Sequence, residues 1–153
     1  SALMMELKQI IDHSGISCSG IIVELTESGY LEGTPAVRSV WNDMKQLRIQ
    51  IALDDFGTGY SNLMNISNLE PDIVKLDRGF TLKALSRSYE YQLMQYVIEM
   101  VHKLNQYVCV EGVETKEDLE KIKALGPDLI QGYYYSKPCS RDEFLKKFFG
   151  YSE

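Results

Sequence analysis

Five short stretches of this chain are dominated by apolar and β-branched residues, and each closes on an acid, an amine or an amide. In chain order they are Ile-Ile-Val-Glu-Leu-Thr-Glu (21–27), Ile-Ala-Leu-Asp-Asp (51–55), Asp-Ile-Val-Lys-Leu-Asp (72–77), Val-Cys-Val-Glu-Gly-Val-Glu (108–114) and Leu-Ile-Gln-Gly-Tyr-Tyr-Tyr (129–135). Apolar runs of this length predict strands of a parallel sheet buried on both faces. Their polar ends then share one edge of that sheet: Glu24 and Glu27, Asp54 and Asp55, Lys75 and Asp77, Glu111 and Glu114, and Gln131.

Between these runs the rhythm lengthens to that of helices. Residues 3–13 read as a first helix, with Gly15 just beyond it. Thr34-Pro35 supplies an N-cap and an N1 proline for a helix reaching about Arg48. From Ser88 to Asn105, helical spacing joins Leu93, Tyr96, Val97, Met100, Val101 and Leu104. Thr115 with Asp118 forms a capping box for a helix that stops at Gly126-Pro127, and Ser140 with Glu143 forms another for the last helix. A further helix is expected between the second and third strands. Strands and helices that alternate through right-handed crossovers predict an α/β fold, a parallel sheet or barrel.

Composition narrows the class of protein. A chain of 153 residues suits one globular domain with a real core. A net charge of −6 argues against general binding of DNA or other nucleic acid, which calls for a basic face. It leaves room for an anionic ligand bridged by cations, which reverse the local field. No apolar stretch approaches a membrane span, which takes about 18 residues or more, and no charged-then-apolar leader opens the chain. Cys18, Cys109 and Cys139 are odd in number and lack metal-type spacing, which fits a reduced, cytoplasmic setting. Cys109 reads as a small core residue, and His13 and His102 as surface or satisfied histidines.

Asp54 and Asp55 carry the most specific local chemistry. Adjacent strand residues point to opposite faces. A twisted strand end nevertheless lets both carboxylates reach one hard cation or two. The loop that follows, Phe56, Gly57, Thr58, Gly59, Tyr60 and Ser61, has glycines that permit a tight turn. The plainer alternative is a helix cap followed by a polar turn. Lys75, set between apolar neighbours, needs a charged partner; a site role or an ion pair with Asp55 or Asp77 would supply it. Glu27 has the alternative of capping the turn before Gly29, Gln131 that of satisfying backbone groups, and Asp77 a structural role. Tyr133 to Tyr135 are expected to pack under helices.

Five segments in order now point to a family: Glu-Leu-Thr-Glu-Ser (24–28), Asp-Asp-Phe-Gly-Thr-Gly-Tyr-Ser (54–61), Val-Lys-Leu-Asp (74–77), Glu-Gly-Val-Glu-Thr (111–115) and Gln-Gly-Tyr-Tyr-Tyr-Ser-Lys-Pro (131–138). Together they resemble the EAL domain, the bacterial phosphodiesterase that hydrolyses the second messenger cyclic di-GMP. The resemblance implies a TIM-type (β/α) barrel, of which this chain holds about five parallel strands with their helices. The N-terminal strands are missing, because the Glu-Ala-Leu signature and the asparagine-bearing strand after it have no counterpart here. Residues 1–153 are thus expected to form a single truncated EAL domain, its C-terminal part.

In the complete domain the resemblance implies a two-metal site for Mg²⁺ or Mn²⁺, weak or absent in this chain. Glu24 and Asp54 would hold one ion, and Asp54 would bridge to a second held by Asp55 and Glu111. The implied catalytic residues are Lys75, Glu111 and Glu114: Lys75 would hold the attacking water, and Glu114, with Gln131, would orient waters or ligands. Glu27 would anchor the loop Phe56–Ser61, and Asp77 stands among the supporting positions. The implied reaction opens cyclic di-GMP to linear pGpG by two-metal hydrolysis in signal transduction, with turnover by the fragment alone impaired. A homodimer is expected, because the edges Ile21–Thr26 and Leu129–Tyr135 lack strand partners. The implied location is cytoplasmic, within a parent that other regions could anchor to a membrane. Two alternatives stay open: a non-catalytic cyclic di-GMP receptor, and a pure interaction fragment.

Overall fold

The computed structural model describes residues 2–26, 35–58 and 70–150. The first helix, α1, spans Ala2–Ser14, and a short 3₁₀ turn at Cys18–Gly20 leads into strand β1, Ile22–Thr26. Helix α2 (Pro35–Gln46) and strand β2 (Gln50–Phe56) follow. The proline opens α2 as its fixed φ predicts; the expected cap Thr34 lies outside the described residues, as does most of the stretch where a helix before the third strand was expected. Strand β3 is Ile73–Leu76, and two helices, α3 (Arg78–Ser86) and α4 (Ser88–Lys103), come after it. Strand β4 (Tyr107–Val110), helix α5 (Lys116–Lys123), strand β5 (Leu129–Ile130) and helix α6 (Arg141–Phe149) complete the order. Among the described residues, no helix is long and apolar enough to cross a membrane.

All five strands form one sheet in sequence order, and every neighbouring pair is parallel. One face carries Ile51, Leu53, Val74, Leu76, Val108 and Val110, all within the main core. Trp41, Met44, Phe80, Met94, Ile98, Val101, Leu119 and Ile122 bury that face from the helix side. Each fully buried aliphatic side chain contributes about 1.5–3 kcal/mol. The opposite face carries a small layer of Ala52, Ile73 and Cys109. The two flanks are thinner: Ile22 on β1 and Leu129 on β5 stay 46% and 45% exposed.

Four expectations need correction. Helix α3 occupies residues between the third apolar run and the helix from Ser88 to which the sequence pattern assigns no element. Asp77 in fact caps it, accepting the Gly79 N–H at 2.7 Å, and Phe80, Thr81 and Ala84 bury its inner face. The buried face of α4 is Met94, Val97, Ile98 and Val101, the i, i+3, i+4, i+7 set, whereas Leu93, Tyr96 and Leu104 are exposed. Strand β5 ends at Ile130, not Tyr135: after Gln131 the chain turns, with Tyr134 N–H donating to Val113 O and Tyr135 N–H to Gly132 O. Tyr133, Tyr134 and Tyr135 accordingly lie exposed rather than beneath helices. Both capping boxes are present, at Thr115 with Asp118 and at Ser140 with Glu143.

Candidate functional site

Parallel pairing sets the level of each polar strand end. Thr26 pairs with Asp54, and Lys75 with Cys109. The ladder continues past the strands: Asp77 N–H donates to Phe56 O, Glu111 N–H to Leu76 O, and Gln131 N–H to Val110 O. Glu111 and Gln131 are thereby held at the same C-terminal edge as Asp54 and Lys75. On β2 the register shifts between Leu53 and Phe56, so Asp54 and Asp55 together stand opposite a single β3 residue. Asp55 absorbs this bulge in the left-handed region, at φ 61°, a conformation that Asp tolerates better than most side chains. Asp54 is half-buried and Asp55 exposed. The adjacent acids are therefore part of a bulged strand end and not the cap of a helix.

The centre of this edge is Lys75, whose side chain is only 7% exposed. Its Nζ lies 2.8 Å from Glu24 Oε1, 3.1 Å from Asp54 Oδ1 and 2.6 Å from Glu111 Oε1. Its partners are thus neither Asp55 nor Asp77. Burial works against the ammonium, but its hydrogen bonds to Glu111 and Glu24, with the Asp54 carboxylate close by, outweigh it and hold the Lys75 pKa above the ordinary lysine value. Beneath the cluster, burial first and the Glu111 charge second push the Cys109 thiol up to about 11, so it is inert core at neutral pH.

Glu114 points elsewhere. Arg78 grips its Oε1 from Nη2 at 2.8 Å and Nε at 3.2 Å. The loop between them crosses Arg78 closely: Gly112 sits at φ 79°, and a Cβ there would run into the Arg78 side chain. Gly132 likewise lies against the Val113 backbone with no room for a Cβ. Sequence reasoning missed Arg78; its signal is its place directly after the Asp77 cap, at the C-terminal edge. Asp77 is spent on that cap. Gln131 is exposed and, with Cys109, Tyr133 and Lys137, lines an open groove of about 740 Å³ beside the cluster. Glu27, Gly59, Tyr60 and Ser61 lie outside the described residues; Phe56 is buried, and Gly57 and Thr58 begin the turn after it.

The donor set suits a hard divalent cation, which prefers carboxylate oxygens. Three carboxylates face one ammonium, which leaves two negative charges uncompensated. The Asp54 Oδ1 atom is buried and lacks an aligned hydrogen bond even though Lys75 is near. As they stand, no three acids, histidines or cysteines among the described residues are spaced to hold an ion. The chemistry of the set fits a cation, while its present geometry is closed on lysine.

Comparison with known proteins places this chain in a family. The EAL domain model matches residues 1–138, and the chain belongs to the EAL domain family. Cyclic di-GMP phosphodiesterase NbdA of Pseudomonas aeruginosa is 28% identical over 151 residues, which are 97% of this chain and 19% of that protein. The PaMucR phosphodiesterase, solved with cyclic di-GMP, superposes with a TM-score of 0.84 at 27% identity, over 95% of this chain and 59% of that one. Klebsiella pneumoniae BlrP1, solved with manganese and cyclic di-GMP, gives a TM-score of 0.80 at 26% identity, over 87% of this chain and 35% of that one. The chain therefore spans only part of each of these proteins.

Proposed function

We propose that this chain is the C-terminal part of an EAL domain and carries one edge of a site that hydrolyses cyclic di-GMP to linear pGpG. The convergence of Glu24, Asp54 and Glu111 on Lys75 at the C-terminal end of the sheet is the observation that carries this reading. Glu24, Asp54, Asp55 and Glu111 would hold Mg²⁺ or Mn²⁺. Such ions, when bound, neutralise a phosphodiester and make hydroxide available at neutral pH. Lys75 offsets negative charge on the phosphate and orients the attacking water. Arg78 fixes the loop that carries Glu114, and Gln131 faces the adjoining groove. A cytoplasmic setting and a homodimer belong to the same proposal, the latter supported by the exposed flanks at Ile22 and Leu129.

The test is chromatography of pGpG formed from cyclic di-GMP with Mn²⁺ or Mg²⁺, on this chain and on a longer polypeptide that contains it. Asp54→Ala and Lys75→Ala are each expected to remove about 99% or more of the longer protein's turnover, the scale for a group acting on transition-state charge. Turnover left nearly intact in either variant overturns the assigned roles. Titrated binding of cyclic di-GMP with no turnover in the longer protein would make the chain part of a receptor. Light scattering that gives a monomer at tens of micromolar, roughly the range where exposed edges associate, would remove the dimer.

A further inference from the structure

We propose that Arg78 is a positioning residue of the site: by clasping the loop after β4, it sets where Glu111 and Gln131 stand. The inference rests on the reading above for what those two residues do, and on the loop geometry for how they are held. Arg78 opens α3, directly after the Asp77 cap. From there it meets the loop after β4 on both sides of Val113. On one side the Gly112 backbone, at φ 79°, crosses so closely that a Cβ would run into Cβ and Cγ of Arg78. On the other side the guanidinium holds Glu114 Oε1 from Nη2 at 2.8 Å and from Nε at 3.2 Å. Val113, between them, is fully buried in the main core. A buried side chain anchors a loop at one point, and the chain can still swing about that point. The two contacts that flank Val113 remove that freedom.

The clasp reaches further through the backbone. Glu111 immediately precedes Gly112, and its own N–H donates to Leu76 O on the strand that leads into Arg78. Val113 N–H donates to Gln131 O at 3.3 Å, and Tyr134 N–H donates to Val113 O at 3.0 Å. Gly132 packs on the same Val113 peptide with no space for a Cβ. The loops after β4 and β5 are thus bonded to each other, and Arg78 joins them to the start of α3. A turn of the 112–114 segment would carry two side chains with it. Glu111 would leave its place 2.6 Å from Lys75 Nζ, and Gln131 would shift in the groove that it lines. The Arg78 and Glu114 side chains are 58% and 39% exposed, and an exposed pair of this kind contributes little to global stability. Its value here is placement, because a displacement of about 1 Å at a reacting group costs about a hundredfold in rate.

Hydrogen exchange at single amides, read by NMR on this chain without added metal or nucleotide, tests the clasp. Arg78→Ala is expected to speed exchange of the Val113 and Tyr134 amides by about fivefold or more, while amides within β3 and β4 keep their rates. Arg78→Lys keeps a cation for Glu114 but not the two-nitrogen grip, and its rates should fall between. Arg87→Ala breaks another arginine–glutamate pair, with Glu90, and should change neither amide. Unchanged exchange at Val113 and Tyr134 in Arg78→Ala overturns the proposal. So does acceleration spread evenly over β3 and β4, which would make Arg78 an ordinary contributor to stability. In a longer polypeptide that contains this chain, Arg78→Ala should lower kcat for pGpG formation by about tenfold to a hundredfold. KM should move by less than about threefold, and Arg78→Lys should return part of kcat. A kcat within about twofold of that of the unaltered protein overturns the positioning role. If the unaltered longer protein forms no pGpG, the hydrolytic reading falls, and the exchange rates alone decide whether Arg78 places Glu111 and Gln131.

Discussion

Carboxylates sit at both ends of this parallel sheet, and they are satisfied in different ways. At the N-terminal end, Asp72 Oδ2 accepts the Ile51 N–H at 2.8 Å, and Asp128 Oδ2 accepts the Val108 N–H at 2.8 Å. Each is bound by the backbone of the strand beside it and by one basic neighbour: Lys45 for Asp72, His102 for Asp128. At the C-terminal end, Glu24, Asp54 and Glu111 share the Lys75 ammonium. A backbone N–H cannot leave, so the first pair of acids is fixed structure. A side-chain cation can be exchanged, so the second group is available for chemistry. Under the proposed function the same residue type serves stability at one end and ligand binding at the other, and its partner decides which.

The largest expected effect breaks the C-terminal group. In chelator, Lys75→Met should lower the free energy of unfolding by about 3 kcal/mol, because three partly buried carboxylates lose their common partner. That figure is at the low end for a broken buried pair, since half of the Glu24 side chain is in water. Saturating Mn²⁺ should restore much of the loss, as any ligand of the native state does. Urea denaturation with and without Mn²⁺ measures both. A loss that Mn²⁺ does not reduce would mean that the two ends of the sheet are built alike.

A smaller effect is expected at the other end. Asp72→Ala leaves the Ile51 N–H without its carboxylate, and such a buried donor costs about 1–3 kcal/mol. Mn²⁺ should stabilise this variant and the unaltered chain alike, so the difference between them stays unchanged. The same denaturation series reads this out, and a difference that shrinks on adding Mn²⁺ would erase the distinction between fixed and exchangeable acids.

Much of this contrast was legible in the residues, and some of it was not. Apolar runs, capping boxes and the proline at the start of α2 are local signals, and they locate strands and helices. The polar ends of the runs locate the edge where Glu24, Asp54, Lys75 and Glu111 meet. Which acids Lys75 touches depends on the bulge at Asp54 and Asp55 and on strand register, and those are set by pairing between distant segments. The partner of Arg78 is hidden for the same reason: Glu114 is remote in sequence and is brought close by the loop at Gly112. The length of β5 was overread because the tyrosines after Gln131 favour strands. The close approach of Gly132 to Val113, which turns the chain there, has no signature in a single sequence. Helix α3 had a usable signal, an Asp cap before Phe80 and Ala84 at helical spacing.

The smallest expected effect is a pH dependence at the N-terminal end. Burial raises the Asp128 carboxyl, but the Val108 N–H and His102 more than offset it, so its pKa lies below the usual aspartate value. A carboxylate depressed in the folded chain binds its proton more readily when unfolded. Its contribution is therefore complete above the unfolded value of about 3.9 and disappears as pH falls through the folded one. Asp128→Asn keeps an oxygen that can accept the Val108 N–H and removes the charge. The unaltered chain should be more stable than this variant at pH 6 by no more than about 1 kcal/mol, since a third of the side chain is exposed. The margin should narrow as pH drops from 5 toward 3. Paired urea titrations across that range measure it. A margin that widens in acid would show that Asp128 is destabilised by its surroundings, and would remove it from the class of acids fixed by the backbone.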